Sequence, residues 1–294
     1  MKQKVVLAGG SGFIGTYFKE KLEELDYEVV FISRRKSAIT WDDQAGMTEA
    51  LENAEMVINL AGKSVNCRYN EKNKHEIMTS RVGTTRLLGD AIKKCTNPPK
   101  LWINSSTATI YRHAEDRPMT EANGEYGTGF SVEVAQKWER AFFSFDLQDT
   151  RQVALRTSIV LGQDGGVITP YKNLVKFGLG GIQGNGQQMF SWIHVEDLFQ
   201  ICLFLKDRSD LEGAFNCSSP NPIQNYVFMN ALRQELHRPY GLPAPRPLLE
   251  LGATVIRTES ELVLKSRWVV PERLLKAGYE FQFPTIRGAL ADIL

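Results

Sequence analysis

The sequence predicts an α/β protein built on a doubly wound parallel sheet with a small C-terminal α/β cap. Two observations favour this fold class. Short apolar runs alternate with helical patterns over the first two-thirds of the 294 residues, which is typical of parallel strands joined by crossover helices. A G-x-x-G-x-x-G also follows the first apolar run and opens the first helical pattern, as in strand–turn–helix units that bind a phosphate.

The apolar runs give the predicted strands, and their near-continuous hydrophobicity indicates burial on both faces. They lie at residues 4–9, 28–33, 55–62, 100–106 and 152–162. Between them, residues 12–25 and 79–95 carry helical patterns. Because β and α elements alternate, we expect helices on both sides of the sheet.

The alternation of strand and helix patterns gives way to glycine-rich and proline-containing segments after Gly162, which suggests a second unit. We expect residues 1–165 to form the dinucleotide-binding domain, with 190–219 returning to it as a helix and a strand. Glycine-rich residues 166–189 and the proline-containing tail 220–294 would form the substrate-side cap.

Composition limits the classes of function. A formal net charge of +1 argues against a broad nucleic-acid-binding or membrane-binding surface. No apolar run approaches the roughly 20 residues that a membrane helix needs. The four cysteines are far apart and show no metal-ligand spacing with the histidines, so we expect no metal site. We also expect a cytoplasmic protein with reduced thiols, since the chain opens on a strand and not on a signal peptide.

The glycine triad consists of Gly9, Gly12 and Gly15. Glycines at these places permit a tight turn and allow backbone N–H groups to approach a pyrophosphate. An NAD site carries a carboxylate at the end of the second strand, but this chain has Ser33, Arg34 and Arg35 there. Guanidinium groups pair with phosphates, so the sequence predicts NADP(H) as the cofactor of an NAD(P)-binding Rossmann-like fold.

Three further motifs resemble those of the extended short-chain dehydrogenase/reductase superfamily: "LAG" at 60–62, "SSTATIY" at 105–111 and "GNGQQMFSWIHVEDL" at 184–198. "RYNE", "SRVGTT", "RTSIVLG" and a tail with "LLKAGYEFQFP" are similar to an atypical subfamily labelled epimerase family. The resemblance runs nearly from end to end. It implies that Ser33 and Arg34 hold the 2′-phosphate end of the cofactor. It implies further cofactor contacts from Phe13, Ile14, Leu60, Ala61, Gly62, Glu76, Arg81 and Val160.

The resemblance also marks what is missing. Members of the superfamily use a tyrosine as general acid and a lysine four residues later, but Ser131 and Ala135 occupy these positions. We therefore expect Thr107, Tyr111 and Ser131 to orient the substrate, with Tyr111 pointing toward the cleft. Other candidates for proton chemistry are Lys63, His194, Tyr171 and Lys172.

A second departure concerns the substrate. Phe190 stands where nucleotide-sugar epimerases carry an arginine for the sugar diphosphate. We therefore expect an unknown small-molecule substrate that is not a nucleotide sugar. Three hypotheses stay open: an NADP(H)-dependent oxidoreductase or epimerase-like enzyme, a non-catalytic NADP(H)-binding or sensing protein, and a true nucleotide-sugar epimerase. A monomer and a homodimer are both compatible with the sequence.

Overall fold

The computed structural model describes residues 2–35, 37–163, 165–245, 249 and 265–294. The strands of this part are β1 Lys4–Ala8, β2 Glu28–Ile32, β3 Met56–Asn59, β4 Leu101–Thr107, β5 Arg151–Thr157, β6 Ile159–Leu161, β7 Met189–Phe190, β8 Trp192–His194, β9 Gly213–Cys217 and β10 Ile223–Gln224. The helices are α1 Phe13–Glu24, α2 Gln44–Leu51, α3 Glu71–Ile92, α4 Phe130–Phe143, α5 Ile168–Lys176, α6 Val195–Asp207, α7 Asn225–Glu235, α8 Glu272–Lys276 and α9 Ile286–Ile293, with a 3₁₀ turn at Ala108–Ile110.

The main sheet has six strands in the order β2-β1-β3-β4-β5-β9, and neighbouring strands are parallel. The chain runs from β1 to β2 on one side and then crosses to β3 on the other side. The strand order therefore reverses between β1 and β3, and the connections that follow these strands lead to helices on opposite faces of the sheet. Such sheets bind ligands at this point. The predicted doubly wound parallel fold is confirmed.

Strand residues alternate between two hydrophobic layers because successive side chains point to opposite faces of the sheet. Val5 and Leu7 of β1 pack with α1 and α6, whereas Val6 and Ala8 pack with α2, α3 and α4. The second layer centres on Trp102, whose ring meets Phe142 edge to face at 4.6 Å between centroids. Each fully buried large side chain of this kind contributes about 1.5–3 kcal/mol.

The predicted strand 152–162 is wrong as a single element. Its backbone leaves the main sheet after Ser158, whose N–H donates to the Cys217 carbonyl at 3.0 Å. The next residue, Ile159, donates instead to the Ser191 carbonyl at 3.2 Å. Residues 159–161 then pair with β8 as a separate two-stranded sheet. The apolar run continues across the break because both strands are buried or half-buried.

The cap packs around its own cluster. Phe190 and Trp192 meet the buried faces of α5, α7 and α9 in this cluster. The segment 190–219 supplies β9 to the main sheet and α6 to its core. Of the predicted cap segment, residues 246–248 and 250–264 lie outside the described residues. The exact domain boundaries stay a prediction.

Candidate active site

A cleft of about 570 Å³ lies at the carboxyl ends of the parallel strands, over the point where the strand order reverses. Its walls come from the loop after β1, the loop after β3, the ends of β4 and β5, and the first turns of α4. Its volume is in the range of small-molecule sites. The predicted residues in its lining are Gly9, Gly12, Phe13, Ile14, Gly15, Leu60, Ala61, Gly62, Arg81, Thr107, Ser131 and Val160.

The three glycines of the first loop serve different geometric needs. Gly9 has φ +76°, and a Cβ there would lie 2.4 Å from the backbone of Ala61. Gly15 allows the helix to pack on the turn, because its Cβ would lie 2.3 Å from the carbonyl oxygen of Gly10. Gly12 differs, since a Cβ on it would meet no atom within 4 Å. A side chain at Gly12 would therefore project into the cleft.

The same loop brings the N-terminus of α1 to the cleft. Gly12 is the N-cap residue and has no side chain to accept a hydrogen bond, and no acidic residue lies in the first turn. The first intrahelical bond runs from the Thr16 N–H to the Gly12 carbonyl at 2.9 Å. The N–H groups of Phe13, Ile14 and Gly15 thus have no partner within the helix. Free donors and the positive end of the helix dipole suit an anion.

The end of β2 lies beside this loop, as the hydrogen bond from the Gly9 N–H to the Ile32 carbonyl at 2.8 Å shows. Ser33 is buried, and its hydroxyl accepts a hydrogen bond from the Arg35 N–H at 3.0 Å. Arg34 and Arg35 are exposed. Neither guanidinium forms an ion pair with a carboxylate of the described residues. Ser33, Arg34 and Arg35 are not in the lining of the cleft, but they directly follow the strand end that bonds the glycine loop.

Helix α3 contributes Arg81 and Glu76 in different ways. Arg81 lines the cleft, and its guanidinium lies 5.3 Å from the ring centre of Trp138. The guanidinium donates hydrogen bonds to the backbone carbonyl oxygens of Lys63 at 3.0 Å and Ile77 at 3.2 Å. Burial lowers its pKa to about 10, so it stays cationic at neutral pH. Glu76 lies outside the lining and bonds the ammonium of Lys63, which lowers the pKa of that carboxyl.

A buried polar network fixes the cleft wall from below. The side-chain oxygen of Asn59, Oδ1, accepts a hydrogen bond from the Ala61 N–H at 3.0 Å. Its side-chain nitrogen, Nδ2, donates to Asn104 Oδ1 at 2.7 Å and to the Thr85 hydroxyl at 3.1 Å. Trp138 Nε1 donates to the same Thr85 hydroxyl at 2.9 Å. Each buried polar group thus has a partner, so the "LAG" loop and the α4 wall are held in one position.

Thr107 at the end of β4 and Ser131 at the start of α4 both lie in the lining of the cleft. The Ser131 hydroxyl lies 3.4 Å from the hydroxyl of Tyr69, which also lines the cleft. Ala135 is fully buried and packs with the 3₁₀ turn at 108–110. Ala135 supplies no ammonium group at the position where the superfamily has a lysine.

The prediction that Tyr111 faces the cleft is wrong. The 3₁₀ turn at 108–110 carries the Tyr111 ring behind α4, where it is 1% exposed. Its hydroxyl donates to Asn216 Oδ1 and accepts a hydrogen bond from Arg156, both at 2.8 Å. Arg156 in turn pairs with Glu139 at 2.7 Å. Tyr111 is therefore part of a buried network and has no open path to a substrate.

His194, Tyr171 and Lys172 lie apart from the cleft. His194 is 3% exposed and caps α6, with Nδ1 accepting from the Glu196 N–H at 3.2 Å. Tyr171 packs edge to face on Phe228 in the cap, and burial raises its pKa to about 12. Lys172 follows it in α5. Phe190 is 6% exposed and stacks on Phe228 at 4.2 Å between centroids.

Lys63 lines the cleft, but its ammonium is engaged by Glu76 and by Asn73 Oδ1 at 2.7 Å. Tyr69 lines the cleft but was not among the residues predicted from the sequence. Its signal was its position, since it ends the loop after β3 and precedes the Asn70 cap of α3. Side chains at such carboxyl-end loops point into the ligand site of a parallel sheet.

The described residues contain neither a metal-binding cluster nor a membrane-spanning helix. No group of three or more His, Cys, Asp or Glu side chains in this part is arranged to hold a metal ion. None of the helices found there is both long and apolar enough to cross a bilayer.

The switch-point cleft and its glycine loop define an α/β protein of Rossmann-like fold. The chain belongs to the NAD dependent epimerase/dehydratase family, whose model matches residues 5–218. Residues 244–293 match a domain of unknown function, DUF1731.

Similar proteins share the whole architecture. "Epimerase family protein SDR39U1" of Mus musculus is 33% identical over 297 residues, with 99% of each chain covered. The crystal structure of human epimerase family protein SDR39U1 (isoform 2) with NADPH superposes with a TM-score of 0.90 at 31% identity, covering 99% of both chains. A nucleoside-diphosphate sugar epimerase from Corynebacterium glutamicum has a TM-score of 0.80 at 26% identity, and the match covers all of this chain but 58% of that one.

Proposed function

We propose that the chain binds NADP(H) in the switch-point cleft and transfers hydride between the nicotinamide and a small molecule that is not a nucleotide sugar. The observation that carries this proposal is the cationic end of β2. Arg34 and Arg35 are exposed beside the glycine loop, and no carboxylate of the described residues neutralises them. A 2′-phosphate satisfies this charge, whereas the bare ribose hydroxyls of NAD(H) do not.

The residues present fit such a cofactor. The open space at Gly12 and the free N–H groups at the start of α1 suit a pyrophosphate. Ala61 and Gly62 form a wall without bulky side chains, and Arg81 adds a positive charge from α3. The human relative with 31% identity was solved with NADPH, which supports the same choice of cofactor here.

At the far end of the cleft, the chain supplies hydroxyl groups. When bound, the nicotinamide supplies or accepts the hydride. Thr107 and Ser131 orient the oxygen of the substrate by hydrogen bonds, and Val160 lies beside them in the lining. The apolar rings of Phe130 and Trp138 exclude water from this end, which strengthens these polar contacts.

The exclusion of nucleotide sugars rests on Phe190. The resemblance places an arginine at this position in nucleotide-sugar epimerases, where it grips the diphosphate. Here the side chain is 6% exposed and buried in an aromatic cluster with Phe228 and Tyr171. An apolar cluster at this site offers no compensation for desolvating a diphosphate.

A non-catalytic NADP(H)-binding protein is the second candidate function. The alanine at position 135 favours it, because this side chain has no ammonium group to hold the nicotinamide ribose. Such a protein would bind the cofactor as tightly as the enzyme and would leave it unchanged.

Turnover separates these functions. Purified protein is mixed with NADPH and with a panel of aldehydes, ketones and quinones, and the nicotinamide absorbance is followed. UDP-glucose and UDP-N-acetylglucosamine are tested separately for epimerisation. We expect NADPH oxidation with at least one carbonyl compound and no change in either nucleotide sugar. NADPH binding without any oxidation would support the sensor, and epimerisation of a nucleotide sugar would overturn the proposed substrate class.

A further inference from the structure

A tyrosine from another segment lies beside the position of the missing acid. Tyr69 ends the loop after β3, whereas Ser131 begins α4, and they are 62 residues apart in the sequence. The structure brings their hydroxyls to 3.4 Å in the lining of the cleft. A phenol group therefore lies next to the residue that stands at the position of the superfamily's tyrosine, although α4 itself carries only a serine there.

The position of Tyr69 is fixed on two sides. Its ring packs edge to face on Phe130, with centroids 5.1 Å apart. The next residue, Asn70, caps α3 by accepting a hydrogen bond from the Asn73 N–H at 2.8 Å. The residue is half-buried and belongs to the lining of the cleft. A catalytic acid needs this combination of fixed position and access.

A cation accompanies the phenol. The Arg81 guanidinium lines the same cleft, and its hydrogen bonds go to the carbonyl oxygens of Lys63 and Ile77. No carboxylate of the described residues forms an ion pair with it, so its charge is not neutralised locally. Burial lowers the pKa of Arg81, and charge attraction with the ionised form of Tyr69 partly opposes this lowering. The same attraction favours the phenolate.

We propose that Tyr69 is the catalytic proton donor and acceptor of this site and that Arg81 stabilises its phenolate, in place of the missing tyrosine–lysine pair. The inference rests on the proposed function, since it assigns the acid for the same hydride transfer. During reduction of a carbonyl, hydride from the reduced nicotinamide forms the new C–H bond. The Tyr69 O–H bond breaks, its proton forms the O–H bond of the alcohol, and water reprotonates the phenolate.

The neighbouring groups do not meet these requirements. The hydroxyl of Ser131 is a far weaker acid than a phenol. The Lys63 ammonium is held by Glu76 and Asn73, and Tyr111 is sealed behind α4. Ser131 instead hydrogen-bonds the phenol, which orients the Tyr69 hydroxyl and stabilises its ionised form.

The test is a spectrophotometric titration of phenolate in the full chain, with and without NADP⁺. Wild type is compared with Tyr69→Phe, which keeps the ring on Phe130 and removes one hydroxyl. Tyr240→Phe is the matched control, since Tyr240 is 87% exposed. We expect the wild-type minus Tyr69→Phe difference to titrate at least about one pH unit below the ordinary value near 10. The Tyr240→Phe variant should keep the lowered titration of the wild type.

Arg81 variants test the pair. Arg81→Met should return the Tyr69 titration to about 10 or above, and Arg81→Lys should retain most of the lowering. A Tyr69 that titrates at about 10 or higher in the wild type would overturn the inference, as would an Arg81→Met variant that leaves a lowered value unchanged. Thermal melting of each variant checks that it is folded. The wild-type minus Tyr69→Phe difference shows by itself whether the Tyr69 hydroxyl titrates below the ordinary value.

Activity adds an independent reading with benzaldehyde and phenanthrenequinone as probes. Where the wild type reduces either probe, kcat of Tyr69→Phe should fall by about 10²–10⁴-fold while the Kd for NADPH is unchanged. A kcat equal to wild type would refute the role of Tyr69. If NADPH does not bind, the proposed function fails even where the phenol titrates low. If NADPH binds and the phenol titrates normally, the proposed function stands and this inference fails.

Discussion

The three glycines of the glycine loop have different surroundings. Backbone atoms leave no space for a Cβ at two of the positions, whereas the third borders open space. Gly9 and Gly15 are needed because a Cβ at either would collide with backbone atoms. Gly12 has φ −95° and ψ −179°, which any residue adopts, and its Cβ would meet nothing. Packing therefore does not explain the glycine at position 12, whereas a ligand approaching the start of α1 does.

This difference gives a prediction for Gly12→Ser. A serine at the N-cap accepts hydrogen bonds from the first free N–H groups of the helix, so the melting temperature should be unchanged or slightly higher. The same N–H groups are then less available to a pyrophosphate, and the Kd for NADPH should rise at least about tenfold. Isothermal titration calorimetry measures the affinity.

Gly15→Ser is the matched control. Its Cβ would lie 2.3 Å from the Gly10 carbonyl oxygen, so this variant should melt at a clearly lower temperature. Equal NADPH affinity in Gly12→Ser and wild type would contradict a pyrophosphate at this helix terminus.

Between elements, a buried ion pair joins α4 to β5 behind the cleft. Glu139 and Arg156 are 7% and 6% exposed and lie 2.7 Å apart, and the Ser106 hydroxyl donates to the same carboxylate at 2.5 Å. Removing one partner leaves a buried charge without compensation. We expect Glu139→Gln to lower the free energy of unfolding by about 3 kcal/mol, as measured by urea denaturation.

The double variant separates the charge effect from packing. Combining Glu139→Leu with Arg156→Met removes both charges, and its stability should lie closer to wild type than that of Glu139→Gln. A double variant less stable than Glu139→Gln would mean that hydrogen bonds to Tyr111 and Ser106, and not charge compensation, dominate this contact.

The start of α6 gives the fold a dependence on pH. Burial lowers the pKa of His194 from its ordinary value of 6.5, and nearby Asp292 only partly opposes this. In the unfolded chain the imidazole takes up a proton near pH 6.5, whereas the folded protein resists protonation. His194 therefore contributes full stability above about pH 6.5 and loses it as the pH falls toward the folded pKa.

His194→Asn checks this dependence, because asparagine keeps an N-cap acceptor and does not titrate. Its stacking on Phe283 is lost, so the variant should be less stable at neutral pH. The relevant quantity is the slope: between about pH 7.5 and 5.5, the wild type should lose more unfolding free energy than the variant. Parallel slopes would show that His194 does not titrate on unfolding in this range.

At the scale of the whole molecule, the reactivity of the four cysteine thiols tests which parts of the chain are buried in the fold. Cys202 and Cys217 are buried in the main core, and burial raises the pKa of both thiols strongly. Burial also raises the pKa of Cys95 to about 11, while Cys67 is half-buried on the loop after β3. A disulfide reagent at neutral pH should modify Cys67 first, Cys95 slowly, and the other two only after denaturation. Rapid modification of four thiols in the native protein would contradict this core.

The sheet and the glycine loop were predictable because they depend on local patterns. Buried strands need continuous apolar runs, and the turn at Gly9 needs a residue without a Cβ. Tyr111 could not be placed, since a three-residue 3₁₀ turn decides which side of α4 its ring enters. Tyr69 was missed because its approach to Ser131 depends on how α3 and α4 pack, and no local pattern in either segment records that packing.

The proposed preference for NADP(H) depends above all on the charge at the end of β2. The relative affinity for the two nicotinamide cofactors tests this preference most directly. NADPH and NADH are titrated into the purified protein, and quenching of its five tryptophans gives each Kd. The account predicts that NADPH binds at least about tenfold more tightly, a difference of about 1.4 kcal/mol. Equal affinities would contradict the role of Arg34 and Arg35, and a failure of both cofactors to bind would contradict the proposed function itself.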